Sequence, residues 1–256
     1  MNHRIHRKSA VFVAVVFLLV LVGLYGAARI LEDRVLHANP SAAPEFHSRT
    51  VTRDGIDYYP RMDLKVILLM GIDREAPSPN SIGAADSAML LLIDERDESW
   101  VLLQIDRDTM VELNDGTIPG SLAQAYACGT TPEEGCIHTR SAVSALLGGI
   151  PIDYYVAGSR ETATIVQETI TDPDGAGDAF DVLKAAWPEM EQALETDCPL
   201  TTLISLAGRW RDYRFGGVIT PEGEYTVGAM GEGFYADEEK LDDLVIKLFY
   251  APKPVQ

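Results

Sequence analysis

Positive charge is what this chain has least of: 21 Lys and Arg stand against 39 Asp and Glu, a formal net charge of −18. Over most of the length the imbalance is steeper, because Arg4, Arg7 and Lys8 sit in the first eight residues without an acid, leaving −21 for the rest. A surface that acidic repels nucleic acid, and no basic stripe interrupts it, so nucleic acid is excluded as a partner. An anionic ligand would have to be held by a few locally placed cations or by a metal ion. Cysteine and histidine are scarce too, at three and five. Cys128 and Cys136 lie eight apart in the loop-like stretch ACGTTPEEGC, with His138 as a lone neighbour, and that is no zinc-ligand spacing. In an oxidising compartment the two could close a small disulfide loop, leaving Cys198 as a buried small hydrophobe. No internal repeat is visible, and a hydrophobic fraction of 46% argues against wholesale disorder.

What is present begins with a long apolar run. Ser9–Ala28 is 20 residues without a charge. As a helix it would span about 30 Å, the thickness of a bilayer's hydrocarbon core. The basic residues before it mark the cytoplasmic side, so the expected layout is a cytoplasmic tip (1–8) and a single transmembrane helix (9–30) with the bulk outside the cell membrane. A cleavable signal peptide is the alternative, with small residues at Gly26, Ala27 and Ala28. Residues 31–62, where Pro40, Pro44 and Pro60 mix with Ser, Ala and charges, read as an extracytoplasmic stalk, with ordered structure expected from Leu64.

Residues 63–252 read as one α/β domain. Val66–Met70, Ala88–Ile93 and Trp100–Ile105 are short apolar runs, and the last two are separated by the polar turn Asp94–Ser99. Continuous apolarity predicts strands covered on both faces, hence a three-layer domain with a central mixed β-sheet flanked by helices. Helical spacing appears at 121–128, 138–147, 160–170, 178–195 and 200–208, with strands at Ile152–Val156 and Phe215–Ile219. The closing segment DEEKLDDLVIKLFY starts with acids and puts Leu241, Leu244, Val245 and Leu248 on one face, an amphipathic helix.

Charged clusters border three of the strands: Gly71-Ile-Asp73-Arg74, Ala85-Asp86-Ser87 and Asp106-Arg107-Asp108-Thr109. Ligands of open α/β sheets gather at strand ends. Aspartates there can hold a hard cation such as Mg²⁺, and an arginine beside them offers a planar fork for phosphate oxygens. The same aspartates could equally be ordinary turn and capping residues.

VILLMGIDRE, ADSAMLLLIDERDESWVLLQIDRDTMVEL, LAQAYACG and AVSALLGGIPIDYYV, behind an anchor and a stalk, resemble the LytR-CpsA-Psr family of cell-envelope proteins over about residues 64–170, and FYADEEKLDDLVIKLFY resembles its closing helix. The resemblance implies a sheet sandwiched by helices around a pocket for a polyprenyl chain. It also implies transfer of a glycopolymer from a polyprenyl pyrophosphate carrier onto peptidoglycan, with Mg²⁺ and several arginines. Carried over by position, Asp73 and Asp86 look to the magnesium, and Arg107 grips the pyrophosphate. Asp108 would act as a base or orient Arg107, and Arg74 would be a further phosphate contact or a solvated surface residue.

The chain also departs from the family pattern. Ala84 stands where an arginine is usual, Asp106 stands where proline commonly precedes the RDT arginine, and the family's later arginine-rich segment is missing. Arg209, Arg211 and Arg214 are either a substitute clamp or a helix C-terminus answering its dipole. Three functions stay open: a Mg²⁺-dependent transferase, a non-catalytic polyprenyl-phosphate-binding or regulatory protein of the same fold, and a structural envelope protein meeting a cationic partner.

Overall fold

The computed structural model describes residues 49–73, 82–113, 118–159, 195–199, 202 and 213–252. The expected transmembrane helix lies outside them, as do Arg74, Arg209 and Arg211. Among the described residues no helix is long and apolar enough to cross a membrane. The helices expected at 160–170, 178–195 and 200–208 also fall outside, except at Thr202 and at Glu195, which is in a strand.

In chain order the strands are β1 (Val51–Arg53), β2 (Ile56–Pro60), β3 (Leu64–Asp73), β4 (Ala84–Asp94), β5 (Ser99–Ile105), β6 (Met110–Leu113), β7 (Ile118–Ser121), β8 (Tyr154–Ser159), β9 (Glu195–Thr196), β10 (Arg214–Ile219), β11 (Gly223–Gly228), β12 (Gly231–Ala236) and β13 (Tyr250–Pro252). The helices are α1 (Leu122–Ala127), α2 (Pro132–Leu146) and α3 (Glu238–Phe249). The three apolar runs form the middle of a mixed six-stranded sheet, ordered β10-β5-β4-β3-β8-β9. β4 is antiparallel to both β3 and β5, β10 runs parallel to β5, and β8 runs parallel to β3 but antiparallel to β9.

Both faces of β3, β4 and β5 are buried, which is why these strands read as continuous apolar runs. Val66, Leu68, Met70 and Ile72 face the larger core, shared with Leu122, Tyr126, Val143, Leu241 and Phe249 of the three helices. Ile67, Leu91, Ile93, Trp100 and Leu102 face a smaller cluster, where Trp100 stacks on Phe215 with ring centroids 4.1 Å apart.

Local rules account for the helix starts. Thr131 caps α2 by accepting a bond from the Glu134 N–H at 3.2 Å, with Pro132 at the first helical position and Glu133 and Glu134 in the first turn. The helix therefore begins six residues earlier than its apolar spacing predicted, and ACGTTPEEGC is half helix. Cys136 sits on that helix, fully buried, and Cys128 and Cys136 are free thiols. Cys198 is buried, as expected. Asp237 caps α3 through the Lys240 N–H at 3.1 Å.

Ordered structure is present before Leu64, within the segment expected to be stalk. β1 and β2 form a hairpin, and β2 pairs with β13 directly after the closing helix. Asp54 and Gly55 both have positive φ (52° and 76°), the mirror-image turn that matches strand twist. Arg53 reaches Asp243 of α3 at 2.7 Å. The strands were hidden because they are short and half exposed, so they carry no apolar run.

Candidate functional site

Asp73, Asp86, Arg107 and Asp108 come to one end of the central sheet. That end is where β3 and β5 finish and β4 begins. A β-bulge sets up Asp86. Gly71 pairs with Ser87 and Ile72 with Ala85, so Asp86 is the residue inserted by the bulge. The insertion breaks the period of two: Ala85 and Ala88, three apart, both face the larger core. Asp86 and Ser87 are left together on the opposite face, that of Asp73. Gly83 allows β3 and β4 to close there, with φ +115° and no room for a Cβ, which would lie 2.6 Å from the Asp73 carbonyl oxygen.

Arg107 stands on the loop between β5 and β6, exposed, and its guanidinium makes an ion pair with Asp86, whose side chain is only 11% exposed. Asp108 Oδ1 lies 3.9 Å from Arg107 Nε. The loop itself is strongly tied down. The Thr109 N–H donates to the Asp106 carbonyl at 3.0 Å, closing a tight turn. The Arg107 and Thr109 carbonyls accept from the first two N–H groups of α1, Ala123 and Leu122, each at 2.9 Å. The Asp108 carbonyl accepts from the Phe234 N–H of β12 at 3.0 Å.

Asp106, which from its charge alone works against an anion, has a structural role. Its Oδ1 accepts the Asp108 N–H at 2.8 Å and its Oδ2 accepts the Tyr225 hydroxyl at 2.7 Å. The bond to Asp106 holds the Tyr225 phenol protonated, pushing its pKa up to about 12. Tyr225 belongs to the β11–β12 hairpin and is an addition to the site that apolar-run reading misses. The alternation Glu224-Tyr225-Thr226-Val227 was its only signal.

Arg214 does not join this cluster. It pairs with Ser99 at the start of β5, and the strand then runs about 20 Å to its other end, where Arg107 follows. Among the described residues no group of three or more His, Cys, Asp or Glu side chains is set to hold a metal ion. Asp73 and Asp86 together offer two carboxylates. That donor set suits Mg²⁺, which keeps several waters and takes one or two protein carboxylates alongside substrate phosphates.

Known proteins agree with this architecture. The LytR_cpsA_psr family profile matches residues 37–159. Among solved structures, Bacillus subtilis TagV is similar at 17% identity and a TM-score of 0.53, covering 73% of this chain and 96% of its own. YvhJ of Bacillus subtilis, described as a transcriptional regulator, matches at 22% identity and 0.53, over 73% and 96%. YwtF (TagT), solved with a bound octaprenyl pyrophosphate lipid, matches at 19% identity and 0.51, over 73% and 89%. At such identities the likeness is one of fold. No curated protein matches the chain by sequence. With its GID and RDT motifs at one end of a mixed sheet of this shape, the chain is similar to the LytR-CpsA-Psr family over residues 37–159.

Proposed function

We propose that this protein is a membrane-anchored transferase that moves a glycopolymer from a polyprenyl pyrophosphate carrier to peptidoglycan, with residues 9–30 as its anchor and the folded domain outside the cell membrane. The observation that carries the reading is Arg107, exposed on a loop fixed by four backbone bonds and set against Asp86 at the bulged end of β4. The family profile that matches residues 37–159, and the pyrophosphate lipid held by a protein of similar fold, support it.

In this reading Arg107 exchanges its pairing with Asp86 for the diphosphate oxygens, which its planar fork fits in a bidentate way. Arg74, next to Asp73, is the further phosphate contact. A Mg²⁺ ion held by Asp73 and Asp86 would neutralise charge on the pyrophosphate. A sugar hydroxyl of peptidoglycan attacks the glycopolymer-side phosphorus. The bond to the bridging oxygen breaks and polyprenyl phosphate leaves. The Asp108 carboxylate takes the proton of the attacking hydroxyl.

A non-catalytic polyprenyl-phosphate-binding protein of the same fold is the second reading. It is favoured by Arg214, which stands at the far end of the sheet and cannot supplement Arg107. Each charge-assisted bond to phosphate contributes roughly 1.5–3 kcal/mol, so a reduced arginine set costs the transition state most.

The test is calorimetry of the full-length chain in detergent with a polyprenyl pyrophosphate, in Mg²⁺ and then in EDTA, followed by a transfer assay. Metal-dependent binding lost in Asp73→Ala, with product formed by the unaltered protein, supports the transferase. Binding without product over long incubation selects the second reading, and no binding under either condition overturns both.

A further inference from the structure

The turn that carries Arg107 is braced from outside the central sheet. Asp106 opens the turn, a position aspartate favours because its carboxylate can accept the N–H two residues on, as Oδ1 does from Asp108. That bond needs only one oxygen. The other is taken by the Tyr225 hydroxyl, which comes from a hairpin more than a hundred residues further along the chain. The same hairpin holds the far side of the turn, through Phe234 N–H to the Asp108 carbonyl and the adjoining Thr109–Phe234 bridge. Tyr225 and Phe234 meet edge to face with centroids 5.4 Å apart, so both braces belong to one rigid piece. Gly233 permits this approach: a Cβ there would lie 2.6 Å from Met110 Sδ and 2.8 Å from the Asp108 carbonyl oxygen. The Tyr225 ring is otherwise poorly covered, at 63% exposed, so core packing does not explain its placement.

We infer that Asp106 and Tyr225 form a clasp that positions Arg107 for anion binding, making the β11–β12 hairpin part of the functional site. Tyr225 is a positioning residue: it acts on Arg107 through Asp106 and the turn. The inference rests on the proposed role of Arg107 only where affinity is read. The rigidity of the turn can be read without any ligand.

The experiment is hydrogen–deuterium exchange over segments 106–113 and 229–236 of the full-length protein, paired with octaprenyl pyrophosphate binding, for Tyr225→Phe, Asp106→Asn and Arg107→Ala. Tyr225→Phe keeps the ring and every charge but removes the donor. It is expected to speed exchange in both segments and to weaken binding roughly three- to tenfold, less than a full bond to a charged group would give because the site is open to water. Asp106→Asn, which can still bond both partners, should restore slow exchange. If Tyr225→Phe exchanges like the unaltered protein, the clasp is refuted, and weaker binding alone would make Tyr225 a direct contact instead. If Arg107→Ala binds normally, the proposed role of Arg107 fails, and exchange alone then decides whether the clasp exists.

Discussion

Arg61 offers the sharpest test of how this domain is closed. Its guanidinium pairs with Asp94, whose carboxylate is nearly buried, and lies 3.5 Å from the exposed Asp97 and 3.4 Å from the Leu248 carbonyl at the end of α3. Its backbone N–H donates to the Phe249 carbonyl at 2.8 Å and survives any substitution except proline. Arg61→Ala therefore removes one buried pairing and two weak contacts. Stripping the partner from a buried charge costs about 3–5 kcal/mol at full burial. Asp94 keeps the Arg96 and Asp97 N–H groups at 3.0 Å each, and Arg61 is itself a quarter exposed, so about 2–3 kcal/mol is expected. For a domain of this size that corresponds to a Tm lowered by roughly 5–10 °C. Urea unfolding of Arg61→Ala, Asp94→Ala and the double variant would measure it, and the coupling energy between the two sites should exceed about 1 kcal/mol. A loss below about 0.5 kcal/mol with no coupling would mean that water screens this pair like any surface pair, and the burial argument would fall.

The other expectations concern the site and the core. Arg107→Ala should weaken polyprenyl pyrophosphate binding by about ten- to a hundredfold and lower urea stability by about 1–2 kcal/mol, less than Arg61→Ala, because Asp86 is nearly buried but Arg107 itself is exposed; calorimetry and unfolding on the same preparations would show it. Gly83→Ala should destabilise by about 1–3 kcal/mol and disturb the Asp73 end of β3, since the added methyl meets backbone at a left-handed φ; unfolding that matches the parent protein would contradict the tight closure. Burial pushes the Cys136 thiol up to about 12. At pH 8 its thiolate fraction is then about 10⁻⁴, and iodoacetamide should modify Cys136 only after unfolding. The sign for stability follows from proton binding. The folded state keeps this proton while the unfolded thiol, ordinarily near 9, loses it, so stability is full below pH 9 and declines between about 9 and 12. The decline should be shallower in Cys136→Ala by at most about 1.4 kcal/mol per pH unit.

Much of the architecture was legible because burial writes itself into apolar runs. β3, β4 and β5 are buried on both faces, and the turn between the last two is led by Asp94, whose Oδ1 accepts the Arg96 and Asp97 N–H groups. The closing helix was legible for a similar reason, its apolar stripe and its acidic first turn agreeing. The β1–β2 hairpin and the β11–β12 hairpin were not, because their strands are short and exposed. Their signals, Asp54-Gly55 and the alternation around Tyr225, are local and weak beside a long apolar run. Pairing with β13 is what makes part of the expected stalk an ordered element, and that pairing joins residues nearly two hundred apart.

The charged clusters around Asp73, Asp86 and Arg107, read through the family resemblance, singled out Asp73, Asp86, Arg107 and Asp108, because charges bordering apolar strands leave few positions for chemistry. Tertiary structure alone decided how those residues meet. Asp86 reaches Arg107 because a bulge inserts one residue into β4, and no residue type announces a bulge. Arg214 is ruled out of the cluster by the parallel register of β10 with β5, which a segment's composition cannot contain. Asp106, from sequence a stray negative charge, is a brace because Tyr225 arrives from another hairpin. Local preference is written residue by residue, whereas register and long-range contact belong to pairs of segments and exist only once the chain has closed on itself.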